Sequence, residues 1–502
     1  MNHLKKPEYK GPRFLRDGEY REANRWLKFD YEALCKKVLD CVAGASSIVK
    51  SHRIDGINNR VFILETNNRK RLVAKLPYSC TGPAVLTTRS EVSTMKFIKE
   101  RTRIPVPEVL DWSDDPHNEE VGCEYIIMEY LQGDSLTDKW PTMTAPQKDC
   151  FVENFFAVIR QLYDLEFNAY GYIYTHSRDH EAYLNLDGTY YVGPHCGNDF
   201  YGLDDPEPRN YDNVDRNCGP WPNFSECCTA IADAGISTIP GPDYPAIHKP
   251  WYHGTHRSHT RAMDDARVVL TALGNHLPQD ITRPTLNHPD LHMGNIIVAS
   301  DDPTVIVGII SWRSASIGPA FWQMRRLPGF AEYVDPKEGR GFTYKALYLC
   351  YIGRGYPGLY KARTIDPLFF YLFSSCLRAW KDGATLIERV ILFLSHRWGT
   401  LGFDLGAWPL PAFSENRKHR LQVKEKAYKE VVELRETVAG MLNLGLDDDV
   451  RVPLGQFERK KDLNRKLFDG YLWHSQSSQT STALTGPFQS TQLAVIWPYD
   501  MP

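Results

Sequence analysis

Behind a polar arm, Leu34, Val38 and Val42 recur at helical spacing and predict a helix over Tyr31–Val42. From Ser47 to Leu76 the period shortens to that of strands: Val61–Leu64 and Leu72–Lys75 flank the turn residues Asn67 and Asn68. Thr87 or Thr88 is then expected to cap a helix reaching about Lys99, with Val92, Met95, Phe97 and Ile98 on its buried side. Ile104-Pro105-Val106-Pro107 stops it, and two more strands are expected at Val109–Trp112 and Glu124–Tyr130, before Gly133.

Beyond Leu136 the pattern becomes that of long helices. Gln147–Phe167 carries Phe151, Phe155, Val158, Ile159 and Leu162 on one stripe, and further helices are expected at Ala262–Leu277, Ile365–Ile387 and Val423–Leu444. Segment 168–260 is rich in Tyr, Trp, Gly, Pro and Asp, with little period. It is too long for an idle loop and is expected to carry function or to cap the cleft. Its residues Asp204, Asp205, Glu207, Tyr211, Asp212 and Trp221 suit a pocket for a cationic or sugar-like molecule, and equally a solvated loop. The Ser/Thr/Gln-rich stretch His474–Thr491 is expected to be loosely held. No internal repeat occurs.

These changes of period divide the 502 residues into an N-terminal arm and helix (1–45), a small lobe (46–134), a large helical lobe with its insertion (135–445), and a C-terminal helix with a flexible tail (446–502). The 59 basic and 62 acidic residues, net −3, form no basic block, which argues against nucleic acid or an anionic membrane as partner. No apolar run is long enough to span a bilayer. The eleven cysteines are odd in number and scattered, as suits reduced thiols in an intracellular protein. His195, Cys196, Cys218 and Cys227 are spaced too irregularly to read as a metal cluster. Acidic residues among the first basic ones (Glu8, Asp17, Glu19, Glu22) make a poor mitochondrial presequence, and a secretory apolar segment is absent.

The specific chemical signal is His288-x-Asp290-x-x-x-x-Asn295, followed by Ile296-Ile297-Val298, a turn at Asp301-Asp302-Pro303 and Val305–Ile310. This is the pattern of a phosphotransferase catalytic loop in the protein-kinase-like fold: Asp290 to accept a hydroxyl proton, Asn295 to hold a metal ion, His288 to support the loop. The fold class expected is α+β and bilobal, a small antiparallel β-sheet lobe joined to a large mainly α-helical lobe. Lys75 ends a Val-Ala-Lys strand, the place of a lysine on nucleotide phosphates, and Glu91 on the next helix is its natural partner. Arg53–Arg60 takes the place of the phosphate-covering loop, with Gly56 as its only glycine and Asn59 beside it. Backbone groups near Glu129 fall where adenine would be read.

After the second strand of the hairpin a metal-gripping Asp is expected, and Ser311 stands there. A hydroxyl is a neutral, weak ligand, whereas Mg²⁺ favours carboxylates and phosphates. Loss of a preorganised charge of this kind is expected to slow transfer by roughly two or more orders of magnitude. Asp301 and Asp302, at the far turn, are poorly placed to replace it. Ile309, Ile310 and Trp312 are expected to embed Ser311.

At these residues the chain resembles the aminoglycoside phosphotransferase/choline kinase-like family, and more closely the fungal group related to altered inheritance of mitochondria protein nine. The match also takes in Asn59–Phe62, Leu72–Pro77, Thr87–Met95, Ile104–Pro107, Glu124–Glu129, Gly193–Gly197 and Gly308–Trp312. The resemblance implies ATP with Mg²⁺ and phosphoryl transfer to a small-molecule hydroxyl, with a mitochondrial location and the cytoplasm as alternative. It implies Lys75 on the phosphates, Glu91 as its partner, Asp290 as base and Asn295 as metal ligand. The family has Asp at the position of Ser311, and two adjacent glycines where this chain has Gly56-Ile57. Three readings follow: a phosphotransferase-like protein with weak or lost activity, a small-molecule kinase that tolerates Ser311, and a non-catalytic binding or scaffold protein.

Overall fold

The computed structural model describes residues 13–175, 183–201, 217–242, 249–333, 341–363, 365–445, 451–477 and 490–500. In the small lobe, helix α1 (Tyr31–Asp40) precedes strands β1 (Ile48–Asp55), β2 (Asn59–Thr66) and β3 (Arg71–Pro77). Helix α2 (Leu86–Arg101) and strands β4 (Val109–Ser113) and β5 (Tyr125–Glu129) follow. The strands form one antiparallel sheet in the order β1-β2-β3-β5-β4.

Strand parity decides what the sheet presents on each face. Leu72, Ala74, Tyr125 and Ile127 pack with Tyr31, Leu34 and Val38 of α1. Residues of the opposite parity, Val73, Ile126 and Met128, pack with Val92, Met95 and Ile98 of α2. Lys75 shares that second parity, so its side chain points towards α2 and the large lobe.

Helix α2 starts a turn earlier than Thr87 or Thr88 would place it. Its N-cap is Val85 at φ +70°, with no side-chain cap. The Val85 N–H instead donates to the Glu124 carboxylate at 2.7 Å, an anion set at the positive end of the helix dipole. Thr87 turns its hydroxyl back to the Pro83 carbonyl.

The large lobe is built on Ala145–Tyr163, opened by a Thr144/Gln147 capping box, with Phe151, Phe155, Ile159 and Leu162 fully buried. The expected helix to Phe167 ends four residues sooner. Trp140, Phe330 and Tyr348 close edge-on or tilted around the same stripe. Segment 168–260 holds more order than its composition suggests. It contains an antiparallel sheet of Tyr172–Tyr174, Tyr191–Gly193 and Leu184–Asn185 and a buried helix, Phe224–Ser237. That helix lies against His256–His276 and Pro367–Leu377. Its polar Ser225, Thr229 and Asp233 recur at helical spacing on the side away from the buried Phe224, Cys228, Ile231 and Gly235.

Of the proposed pocket residues in this segment, Asp204, Asp205, Glu207, Tyr211 and Asp212 lie outside the described residues. Trp221 is a core side chain packed on Phe200 and His195. The helices over 365–387 are Pro367–Leu377, Ala379–Asp382 and Ala384–Arg397, the last two parted by Gly383 at φ +96°.

Segments read as an arm and a tail come together. Arg13–Phe14 pairs as a strand with Arg451–Val452, and the Asp500 carboxylate accepts the Asp17 and Gly18 N–H groups at 2.7 and 2.9 Å. Most of His474–Thr491 lies outside the described residues. Beyond it, Leu493, Ile496 and Trp497 are buried against Phe468, and the Trp497 indole donates to Asn464. Among the described residues no helix is long and apolar enough to cross a membrane, and no two cysteines are joined.

Candidate active site

On the small-lobe side, Lys75 Nζ and Glu91 Oε1 lie 2.5 Å apart, and both residues are buried. Burial pulls the Lys75 pKa below its ordinary value; Glu91 opposes this and Arg313 adds to it. The pair is therefore a lysine and a carboxylate held out of water, with a second cation close by.

The Arg53–Arg60 segment is a tight hairpin. The Gly56 N–H donates to the Asn59 carbonyl at 2.8 Å, and a Cβ on Gly56 would sit 3.1 Å from that same oxygen. Gly56 and Asn59 thus close the turn on each other. Asp55 is held by Arg53, Arg60 and the Tyr78 hydroxyl. Burial would raise its pKa, and these donors outweigh burial to leave it below the ordinary carboxylate range. Glu129 lies exposed at the end of β5, and its own N–H is engaged by the Glu108 carbonyl at 2.9 Å.

On the large-lobe side, Pro284–Asn287 leads into the loop, a single 3-10 turn (Met293–Asn295) ends it, and Ile296–Val298 pairs antiparallel with Ile306–Ile309. His288 is fully engaged. Its Nε2 meets the Ile310 carbonyl at 3.0 Å, its Nδ1 accepts the Asp290 N–H at 3.1 Å, and its ring abuts Trp312 edge-on. Burial pushes its pKa down to about 4. It is a neutral brace, with the proton on Nε2. Asn295 is buried and donates its amide to the Asp290 carbonyl at 2.8 Å. The Asp290 carboxylate itself is exposed, and His292 Nε2 stands 3.4 Å from it. His292 also caps the turn, its Nδ1 accepting the Gly294 N–H at 2.9 Å.

Ser311 is exposed, contrary to the expectation that its neighbours embed it; Ile309 and Trp312 are buried and Ser311 is not. It sits at φ +69° and Ser314 at φ +60°. The left-handed region is several-fold enriched in Asn, Asp and His among non-glycine residues, so the backbone at 311 has a shape that would accept Asp. Between the two bends the chain sends Trp312 into the core, its indole donating to the Ile309 carbonyl, and Arg313 towards the small lobe. Arg313 is buried and donates to the Asn58 carbonyl at 2.8 Å, tying the hairpin to the catalytic hairpin. Sequence reasoning missed it because a lone arginine after a tryptophan carries no period or spacing signal.

These residues do not fit a Mg²⁺ ion. Ser311 offers only a hydroxyl, Asn295 has only its Oδ1 to give because its Nδ2 donates to Asp290, and a guanidinium stands two residues from Ser311. No group of three metal-ligating side chains occurs among the described residues.

Beside the loop lies a cavity of about 450 Å³, bordered by Asn287, His288, Pro289, Ser314, Trp322 and Arg326. Asn287 is 9% exposed, and neither atom of its amide has a partner; the Trp322 Nε1 has none either. No carboxylate is among the described residues lining it. Asn287 ends the strand that leads into the loop, directly before His288.

A five-stranded lobe carrying a buried Lys–Glu pair, set over a catalytic-loop hairpin on a helical lobe, defines a bilobal kinase-like phosphotransferase fold. The sequence model of the phosphotransferase enzyme family matches residues 52–199. A subtelomeric hrmA-associated cluster protein of Aspergillus fumigatus is 29% identical over 302 residues, 54% of this chain and 58% of that one. Altered inheritance of mitochondria protein 9 of Komagataella phaffii is 24% identical over 56% of this chain and 49% of its own. The chain thus matches less than two thirds of these relatives' length. The streptomycin–ATP complex of APH(2")-IIa superposes over 76% of this chain and all of that one, at 12% identity and a TM-score of 0.40. The chain is therefore similar to the phosphotransferase enzyme family over residues 52–199 and, over about half its length, to fungal proteins named altered inheritance of mitochondria protein 9.

Proposed function

We propose that this protein binds a nucleoside triphosphate between its lobes and that its transfer of phosphate to a small-molecule hydroxyl is weak or lost. The observation that carries the reading is the pairing of a complete base side with an altered metal side. Asp290 is exposed at the loop, braced by His288 and Asn295, while Ser311 stands at the position of a metal-binding carboxylate. On this reading Lys75, held by Glu91, meets the phosphates, the hairpin at Gly56 and Asn59 covers them, and the strand end at Glu129 borders the base. Asp290 orients or deprotonates the acceptor hydroxyl.

The cavity beside Asp290 supports a retained acceptor side. Its unpartnered Asn287 amide and Trp322 N–H would be satisfied by hydroxyls, and Arg326 and Arg378 on its wall disfavour a polycation. A neutral or anionic hydroxylated molecule suits it. Relatives named mitochondrial support a mitochondrial location, with the cytoplasm as the alternative.

Thermal-shift titration of the full chain with ATP, once with Mg²⁺ and once with EDTA, tests the reading. Stabilisation in either medium supports nucleotide binding. No stabilisation in both overturns it and leaves the scaffold reading.

A further inference from the structure

A guanidinium buried beside a lysine calls for an anion. Arg313 is 7% exposed; among the described residues its hydrogen bond goes to a neutral carbonyl, Asn58, and no carboxylate lies within ion-pair distance of it. Glu91 is the nearest acidic influence and is already spent on Lys75 at 2.5 Å. Glu124 also acts on Arg313 from a distance, but it bonds the Val85 N–H, so neither carboxyl is in contact with the guanidinium. Burying an unpaired charge is costly, and a fold that keeps one gains when an anion enters.

The place of this charge is informative. Arg313 hangs from the strand end that carries Ser311, and its guanidinium reaches the hairpin expected to cover the phosphates. It therefore stands between the strand end at 311 and that hairpin, next to Lys75. Arginine presents five N–H donors in a fork that matches phosphate oxygens two at a time.

We infer that Arg313 is the resident counter-cation of this cleft: it binds the phosphates of a nucleotide in the metal's stead, and binding needs no divalent ion. The inference rests on the nucleotide reading above but can fail separately from it.

The test is calorimetric titration of the full chain with ATP and with adenosine, each in EDTA and in Mg²⁺. Wild-type affinity for ATP is expected to agree within about twofold between the two media. Arg313→Met is expected to lose at least tenfold in ATP affinity in EDTA while adenosine binding stays unchanged, and Arg313→Lys to recover part of the loss. Adenosine has no phosphate, so a purely structural role for Arg313 would weaken both ligands alike and overturn the inference. Wild-type binding that requires Mg²⁺, or undiminished ATP binding by Arg313→Met in EDTA, also overturns it and leaves nucleotide binding intact. Should Arg313→Met fail to fold, Arg313→Lys and the comparison of media on the wild type still decide. Absence of ATP binding in both media overturns the nucleotide reading and this inference with it.

Discussion

The side-chain Nδ2 of Asn295 donates to the backbone carbonyl of Asp290 across 2.8 Å, so the residue expected to hold a metal through its Oδ1 also ties the loop beneath the base. Asn295→Asp replaces the donor by an acceptor facing an acceptor. It is expected to destabilise the protein by about 1–3 kcal/mol, the cost of an unsatisfied buried polar group. Urea unfolding measures it; unchanged stability would show that the tie carries nothing.

Ser311 already holds the left-handed backbone that Asp tolerates. Ser311→Asp is therefore expected to fold with stability within about 0.5 kcal/mol of wild type, as for an exposed substitution without a special role. It should raise Mg²⁺-dependent ATP binding or turnover. Equal binding and turnover with and without the substitution would count against a lost metal ligand.

The Lys75–Glu91 pair is buried on both sides. Glu91→Gln leaves Lys75 and Arg313 facing each other with the shared carboxylate removed, and is expected to cost about 3 kcal/mol or more. Lys75→Met should cost less, because Arg313 still faces Glu91. The double variant should be more stable than Glu91→Gln alone. A double-mutant cycle in denaturant reads the coupling, and strict additivity would refute it.

Burial raises the Glu124 carboxyl to about 7, with the Val85 N–H and Arg313 pulling the other way. Its folded value thus exceeds the ordinary 4.5, so the fold favours the protonated acid. This contribution is complete below pH 4.5 and is lost as pH rises through 7. Glu124→Gln removes the loss. Relative to wild type it is expected to gain on the order of 2–3 kcal/mol between pH 5 and pH 8. Unfolding curves at both pH values check it; a parallel pH dependence in the two proteins would exclude the role.

Much of the small lobe was readable because its sheet is covered on both faces, and strands such as Tyr125–Glu129 are unbroken apolar runs with sharp turns between them. The Asp290–Asn295 loop was readable because its chemistry needs fixed spacing. What escaped was set by partners distant in sequence. The start of α2 depends on Glu124, 39 residues away, and overrides the capping preference of Thr87 and Thr88. Helix Phe224–Ser237 escaped although Ser225, Thr229 and Asp233 mark a polar side at helical spacing, a short periodic run set within a long aperiodic segment. Arg313 reaches across 255 residues to Asn58, a relation no local pattern encodes. The exposure of Ser311 between buried neighbours arises from a positive φ, which apolar patterning does not report.

The strand Arg13–Phe14 on Arg451–Val452 has a kinetic meaning. Arg451 also donates to the Asp55 carbonyl at 3.0 Å, so a segment nearly 400 residues downstream grips the base of the hairpin that faces the cleft. The small lobe is thereby enclosed in a ring of chain that must unclasp before the hairpin can swing. Amide exchange in β1 and β2 should then follow the opening of 451–500, making that clasp the slow gate on how the hairpin breathes.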